Sequence, residues 1–308
     1  MRSSTAIGTT TTAEAAAVYR GRFAPSPSGP LHMGSLVTAL GSWLDARSRQ
    51  GRWLLRIEDL DTPRSQPGIA QAMLTTLARC GLESDETVLW QSQRHAGYEA
   101  ALQQLQRAGL LYPCSCTRRD IAQGPYDGRC RQGPQGPGPH SLRLRLPDRG
   151  GFSFEDALQG TQRGEWAALG DPVLVRRDGL IAYQLAVVVD DAFQRISDVV
   201  RGADLLPATG WQLALIDALG LPQPRYAHLP LLLGADGQKL SKSRSAAALD
   251  ALEPVSAVLQ ALWLLQQQPP AQLANASIQQ VLEWAIDQWN PLALSGVADV
   301  HEPLTPAD

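Results

Sequence analysis

No apolar run in this 308-residue sequence approaches the roughly 18 to 20 residues that a bilayer-crossing helix needs, which argues against a membrane protein. The first eighteen residues, rich in Thr and Ala, lack a basic segment followed by an apolar core and lack any strong periodicity. They read as a disordered leader, 1–18, and not as a targeting signal. An excess of basic charge is missing too: a net charge of -3 and a pI near 6.0 argue against wholesale coating of nucleic acid and leave room for a local basic patch. Cysteine is scarce, with four residues, and three of them (Cys114, Cys116, Cys130) crowd into seventeen positions. Without a secretory signal, that clustering favours a reducing, cytoplasmic setting and a metal over a disulfide framework. Cys80 is assigned to helix packing. No internal repeat is visible.

At 44% hydrophobic residues the chain can bury a substantial core, as one large domain with an insertion or as two ordinary domains. Tyr19 to Ala24 is a strand candidate, and the prolines and glycine of residues 25–30 then forbid regular structure. Leu36, Ala39, Leu40, Trp43 and Leu44 recur at helical spacing, with Gly51 as the stop. Trp53 to Ile57 reads as a buried strand ending in the acidic run Glu58-Asp59-Leu60-Asp61. Helices are expected over Gly68 to Cys80, Arg94 to Ala108 (stopped by Gly109) and Thr209 to Leu219 (stopped by Gly220). The alternation predicts an α/β fold with a parallel sheet. From Pro113 to about Gly170 the texture changes to cysteines, arginines and a Gly/Pro stretch, taken as an insertion, before α/β texture resumes at Pro172 to Arg176 and the apolar run Ala186 to Val189. After Ser243 the chain is helical in character and too short for a sizeable additional domain.

Two loops carry the chemistry. A strand, a Gly/Pro loop and a helix start at His32-Met33-Gly34-Ser35 form a phosphate cradle, because helix N-terminal N–H groups favour anions and glycine permits close approach. Far downstream, Lys239-Leu240-Ser241-Lys242-Ser243 offers two lysines to neutralise phosphate charge. Either loop alone reads equally as an ordinary turn or a solvated surface. Together, in this order and separation, they resemble the HIGH and KMSKS signatures of class I aminoacyl-tRNA synthetases. The words Arg22 to Gly29, Arg56-Ile57-Glu58-Asp59 and Arg201-Gly202-Ala203-Asp204 sharpen the resemblance to the glutamyl branch, over about Tyr19 to Ser245. One departure is Ser35, which replaces the second histidine of HIGH.

The resemblance implies a Rossmann-type catalytic domain in two halves, 19–112 and 171–245, split by a zinc-binding insertion, 113–170, with a short helical region, 246–308, and no anticodon-binding domain. It implies catalytic roles for His32, Lys239 and Lys242, and an ATP site of Pro25, His32, Gly34, Ser35 and Lys242. Glutamate would be held by Arg22 on its carboxylate and Glu58 on its ammonium, completed by Tyr183 and Arg201 and lined by Phe23, Ala24, Pro25 and Ser26. ATP would enter with Mg2+. The spacing of Cys114, Cys116, Tyr126 and Cys130 looks like the zinc knot of one glutamyl-type subfamily, with Asp127 and His140 as competitors for the fourth ligand and Arg118, Arg119, Arg129 and Arg131 as aids to RNA packing. The missing anticodon region resembles truncated paralogues that attach glutamate to queuosine in the anticodon of tRNA(Asp), with activation independent of tRNA and no stable protein partner. Charging of the 3′ end of tRNA(Glu), or a silent RNA-binding role, are the alternatives.

Overall fold

The computed structural model describes residues 18–301 apart from 63, 67, 118, 122–123, 234–248 and 298. The expected leader and the lysine loop therefore lie outside the described residues. β1 (Arg20–Phe23), α1 (Met33–Ser48) and β2 (Arg52–Ile57) follow in turn, and β1 pairs with β2 in parallel, Arg22 opposite Leu54. The helix stop differs from expectation in its detail. Gln50 takes the left-handed turn (φ 54°), while Gly51 is required because a Cβ there would lie 2.7 Å from the Tyr19 carbonyl oxygen.

After α2 (Ile69–Arg79), β3 (Leu89–Trp90) extends the parallel sheet beside β2. α3 (His95–Arg107) leads to β4 (Leu111–Cys114) and β5 (Ser141–Leu144), an antiparallel pair. The hairpin β6 (Gly151–Asp156) and β7 (Gly160–Glu165) and the short α4 (Trp166–Leu169) come next, and β8 (Val173–Val175) joins β5. The stretch 113–170 thus does two things: its first part builds the cysteine cluster on β4 and the loop after it, and its hairpin adds to the main sheet through β6. α5 (Tyr183–Phe193) absorbs the apolar run Ala186 to Val189, of which Ala186, Val187 and Val188 are buried and Val189 partly buried in the core shared with α3 and α6 (Thr209–Leu219).

Between these helices runs β9 (Asp198–Gly202); β10 (Arg225–Leu229) pairs in parallel with both β9 and β6. Ser197 donates its backbone N–H to the Arg20 carbonyl at 3.0 Å, setting β9 beside β1. The strand order is therefore β3-β2-β1-β9-β10-β6-β7, with direction of growth reversing between β1 and β9.

β11 (Leu231–Leu233) pairs in parallel with the late strand β12 (Asp299–His301). Between them, α7 (Pro254–Leu264) and α8 (Ile278–Asp287) bury Val258, Leu262, Val281 and Leu282 against Leu36, Leu40 and Leu44 of α1. The C-terminal helices are thus part of the main core. Cys80 caps α2 and is buried in the same core.

Candidate active site

In a sheet whose order reverses, ligands bind in the crevice at the carboxyl ends of the strands flanking the reversal. Here that crevice opens into a cavity of about 700 Å3. The end of β1 brings Arg22 and Phe23, and the loop after it Ala24, Pro25 and Ser26. Glu58 stands just past β2, its backbone N–H bonded to the Pro25 carbonyl at 3.0 Å, which ties the loop to the neighbouring strand. The first turn of α1 contributes Gly34 and Ser35, with His32 at its N-cap and no acidic residue. That leaves the positive end of the helix available to an anion. Tyr183, the first residue of α5, and Arg201 of β9 close the far wall. Of the expected amino-acid and nucleotide residues, all but Lys239 and Lys242 are described, and all of those line this one cavity.

Burial makes the charges in and behind it consequential. Arg22, Arg56 and Arg201 are all at most 4% exposed. Two of them share one carboxylate: Asp191 Oδ1 accepts from Arg22 Nε at 3.2 Å and from Arg56 Nη1 at 2.8 Å. Burial alone would raise the pKa of Asp191, yet the two guanidiniums hold it below the carboxylate range. Glu58 gets less help, its Oε1 standing 3.6 Å from Arg56 Nη2. Burial pushes it up to about 7 against the pull of Arg56 and Arg22.

Arg201 differs from the other two. It gives Nε–H to His228 Nε2 at 3.0 Å and Nη2 to the Thr209 hydroxyl at 2.8 Å, and among the described residues no carboxylate pairs with it; its buried Nη1 has no hydrogen-bond partner, as is true also of Nε and Nη2 of Arg56. Behind it, His228 Nδ1 meets Asp156 Oδ2 at 2.5 Å.

The second candidate site is the cysteine cluster. The Sγ atoms of Cys114, Cys116 and Cys130 lie within 4.8 Å of one another and could hold a metal ion. A tetrahedral zinc with Zn–S near 2.3 Å needs sulfurs about 3.8 Å apart, and Cys116 and Cys130 are 3.6 Å apart. The Tyr126 hydroxyl lies 3.4 Å from Cys114 Sγ and accepts the Cys130 backbone N–H at 2.9 Å. The competitors are committed elsewhere: His140 Nε2 sits 3.2 Å from the Gly136 carbonyl, and Asp127 pairs with Arg129 at 2.8 Å. Arg131, expected to aid RNA packing, forks onto Asp171 with two bonds of 2.6 Å.

The family model for class I tRNA synthetases (E and Q), catalytic domain, matches residues 18–257. Three bacterial proteins, each named glutamyl-Q tRNA(Asp) synthetase, are similar over nearly their whole length. That of Aromatoleum aromaticum is 50% identical, covering 90% of each chain. That of Xanthomonas campestris is 52% identical over 92% of this chain and 95% of its own, and that of Pseudomonas aeruginosa 48% over 92% and 98%. The chain belongs to the glutamyl-Q tRNA(Asp) synthetase family. Membership makes it an enzyme of the ligase type with a class I catalytic domain. Among solved structures, a glutamate tRNA ligase from Elizabethkingia meningosepticum in complex with its amino acid has a TM-score of 0.75 at 26% identity, over 92% of this chain and 67% of that one. Among the described residues no helix is long and apolar enough to cross a membrane.

Several residues of this synthetase-family site escaped the sequence reading. Asp191 carried a signal, an acidic pair with Asp190 directly after an apolar run, and so did His228, a polar residue within a strand otherwise flanked by Leu229 and Leu231 to Leu233. Asp156 carried none, since its partner lies 72 residues away.

Proposed function

We propose that this chain activates glutamate with ATP as glutamyl-adenylate, without needing tRNA, and transfers it to queuosine in the anticodon of tRNA(Asp). The observation that supports the glutamate reading best is Arg201, a cation with no carboxylate partner among the described residues and an unpaired Nη1, lining the same cavity as Glu58. A dicarboxylic amino acid answers both: its side-chain carboxylate neutralises Arg201 and Arg22, and its ammonium meets Glu58. Tyr183 and the loop Phe23 to Ser26 then exclude water around it.

The α-carboxylate oxygen attacks the α-phosphorus of ATP in line; the bond to the β-phosphate oxygen breaks and pyrophosphate leaves. ATP enters as its Mg2+ complex, which neutralises the leaving group. His32, Gly34, Ser35 and the helix start hold phosphate oxygens, and Lys239 and Lys242 stabilise the charge as it develops. Serine at position 35 contributes a hydroxyl donor where HIGH has an imidazole, so more of that task falls on Lys242. A nucleophile on queuosine next attacks the acyl carbon and AMP departs. Zinc fits Cys114, Cys116, Cys130 and Tyr126 and would lock β4 to the following loop in a purely structural role.

The test is glutamate-dependent exchange of pyrophosphate into ATP in the absence of RNA. Exchange with glutamate and not with glutamine or aspartate is expected; exchange that appears only when tRNA is added would contradict independent activation. Names of the relatives favour queuosine as acceptor over the 3′ end of tRNA(Glu).

A further inference from the structure

The guanidinium of Arg201 is held by groups that do not themselves line the cavity. Asp156 lies at the end of β6 and His228 on β10, which is hydrogen-bonded to both β6 and the Arg201 strand β9. Side-chain exposure of both Asp156 and His228 is 0%. Asp156 Oδ1 accepts three backbone N–H groups, from His228 at 3.1 Å, Leu158 at 3.1 Å and Gln159 at 2.9 Å. Oδ2 is thereby left for His228 Nδ1, which must carry the imidazole proton to donate to it. Nε2 then presents a lone pair, and Arg201 Nε–H donates to it at 3.0 Å. Thr209 holds the second arm through Nη2 at 2.8 Å. Two of the three nitrogens being fixed, Nη1 has one direction left.

We infer that His228, set by Asp156, is a positioning residue that aims Arg201 at the substrate's side-chain carboxylate and so selects the dicarboxylic amino acid over its amide. This rests on the glutamate reading of the cavity. A neutral imidazole is the chemically apt partner. A carboxylate at this place would compensate the charge of Arg201, whereas the single carboxylate of Asp191 offsets only part of the charge of Arg22 and Arg56. A neutral acceptor orients the guanidinium and leaves its charge uncompensated until substrate arrives. An amide side chain cannot supply that compensation, and the buried cation rejects it.

Asp156→Asn is a sharp test because it is isosteric. The three backbone donors require an oxygen at the Oδ1 position, so the new NH2 replaces Oδ2, faces Nδ1, and moves the imidazole proton to Nε2, against Arg201 Nε–H. The KM for glutamate in pyrophosphate exchange should rise by about tenfold or more, with the KM for ATP changed by less than about twofold and a narrower preference for glutamate over glutamine. His228→Leu should do the same, whereas His228→Gln, whose amide oxygen can accept from Arg201, should restore the glutamate KM to within about threefold of the unsubstituted protein. A thermal melt on each variant separates folding from positioning, since loss of folded enzyme lowers the rate without moving KM. An unchanged glutamate KM in Asp156→Asn, or no difference between His228→Gln and His228→Leu, overturns the inference. Absence of glutamate-dependent exchange in the unsubstituted protein would instead overturn the glutamate reading.

Discussion

A buried guanidinium needs a counter-charge, and the three in and behind this crevice are served unequally: Arg22 and Arg56 share Asp191, and Arg201 has only neutral partners. Glu58 is the complement, a carboxylate raised to about 7 by burial. Its protonated form cannot take an ammonium, so the glutamate KM should rise as pH falls below about 7 and level off above it; Glu58→Gln should raise KM and flatten that profile. A KM independent of pH between 6 and 8, on a scale where one unit is about 1.4 kcal/mol, would remove Glu58 from ammonium binding. Lys239 and Lys242 are the only lysines in the sequence. Lys242→Ala should cut glutamate-dependent exchange by about 100-fold or more, and amine-trapping periodate-oxidised ATP should label the peptide containing them; unchanged exchange would take Lys242 out of the mechanism. What a resemblance could carry at this scale were the residues facing the ligand. Of the residues behind them, Asp191 and His228 left a local trace and Asp156 none, but which groups all three pair with depends on strands and helices far apart in the chain.

At the scale of elements, the two halves of the proposed ATP site are joined by backbone. β11 leads into the lysine loop and is held by β12. On the other side of the loop, Leu249 donates its N–H to the Leu31 carbonyl at 3.2 Å, one residue before His32, and Asp250 accepts from Thr76 of α2. The cysteine cluster on β4 and its following loop has three sulfurs within 4.8 Å of one another, one pair at 3.6 Å, with a phenol oxygen beside them. Purified protein should contain about one zinc per chain, and chelation or Cys114→Ser should lower the melting temperature; stoichiometric absence of zinc with an unchanged melt would overturn the metal reading. Elements with long periodic patterns were legible in the sequence, α1 and α6 to within a few residues. The run Ala186 to Val189 was legible as apolar but not as helical, because β-branched residues favour strands locally and its helix is decided by packing on α3 and α6.

For the molecule as a whole, the C-terminal helices complete the core around α1, and the cavity lies where the sheet order reverses. Leu262, fully buried there, should cost about 2 to 5 kcal/mol when cut to alanine, read as a lower denaturant midpoint. Were these helices an appended module, the substitution would leave the main transition unmoved. Among the described residues of the insertion, Arg129 and Arg131 are tied to Asp127 and Asp171. Specificity for one RNA is therefore expected from the nucleotide that enters the cavity more than from a broad electrostatic surface. The most direct measurement is the transfer of labelled glutamate to tRNA pools from queuosine-proficient and queuosine-deficient cells. Label on tRNA(Asp) from the proficient pool alone is the result this account predicts; label on tRNA(Glu), or equal label on both pools, would contradict it.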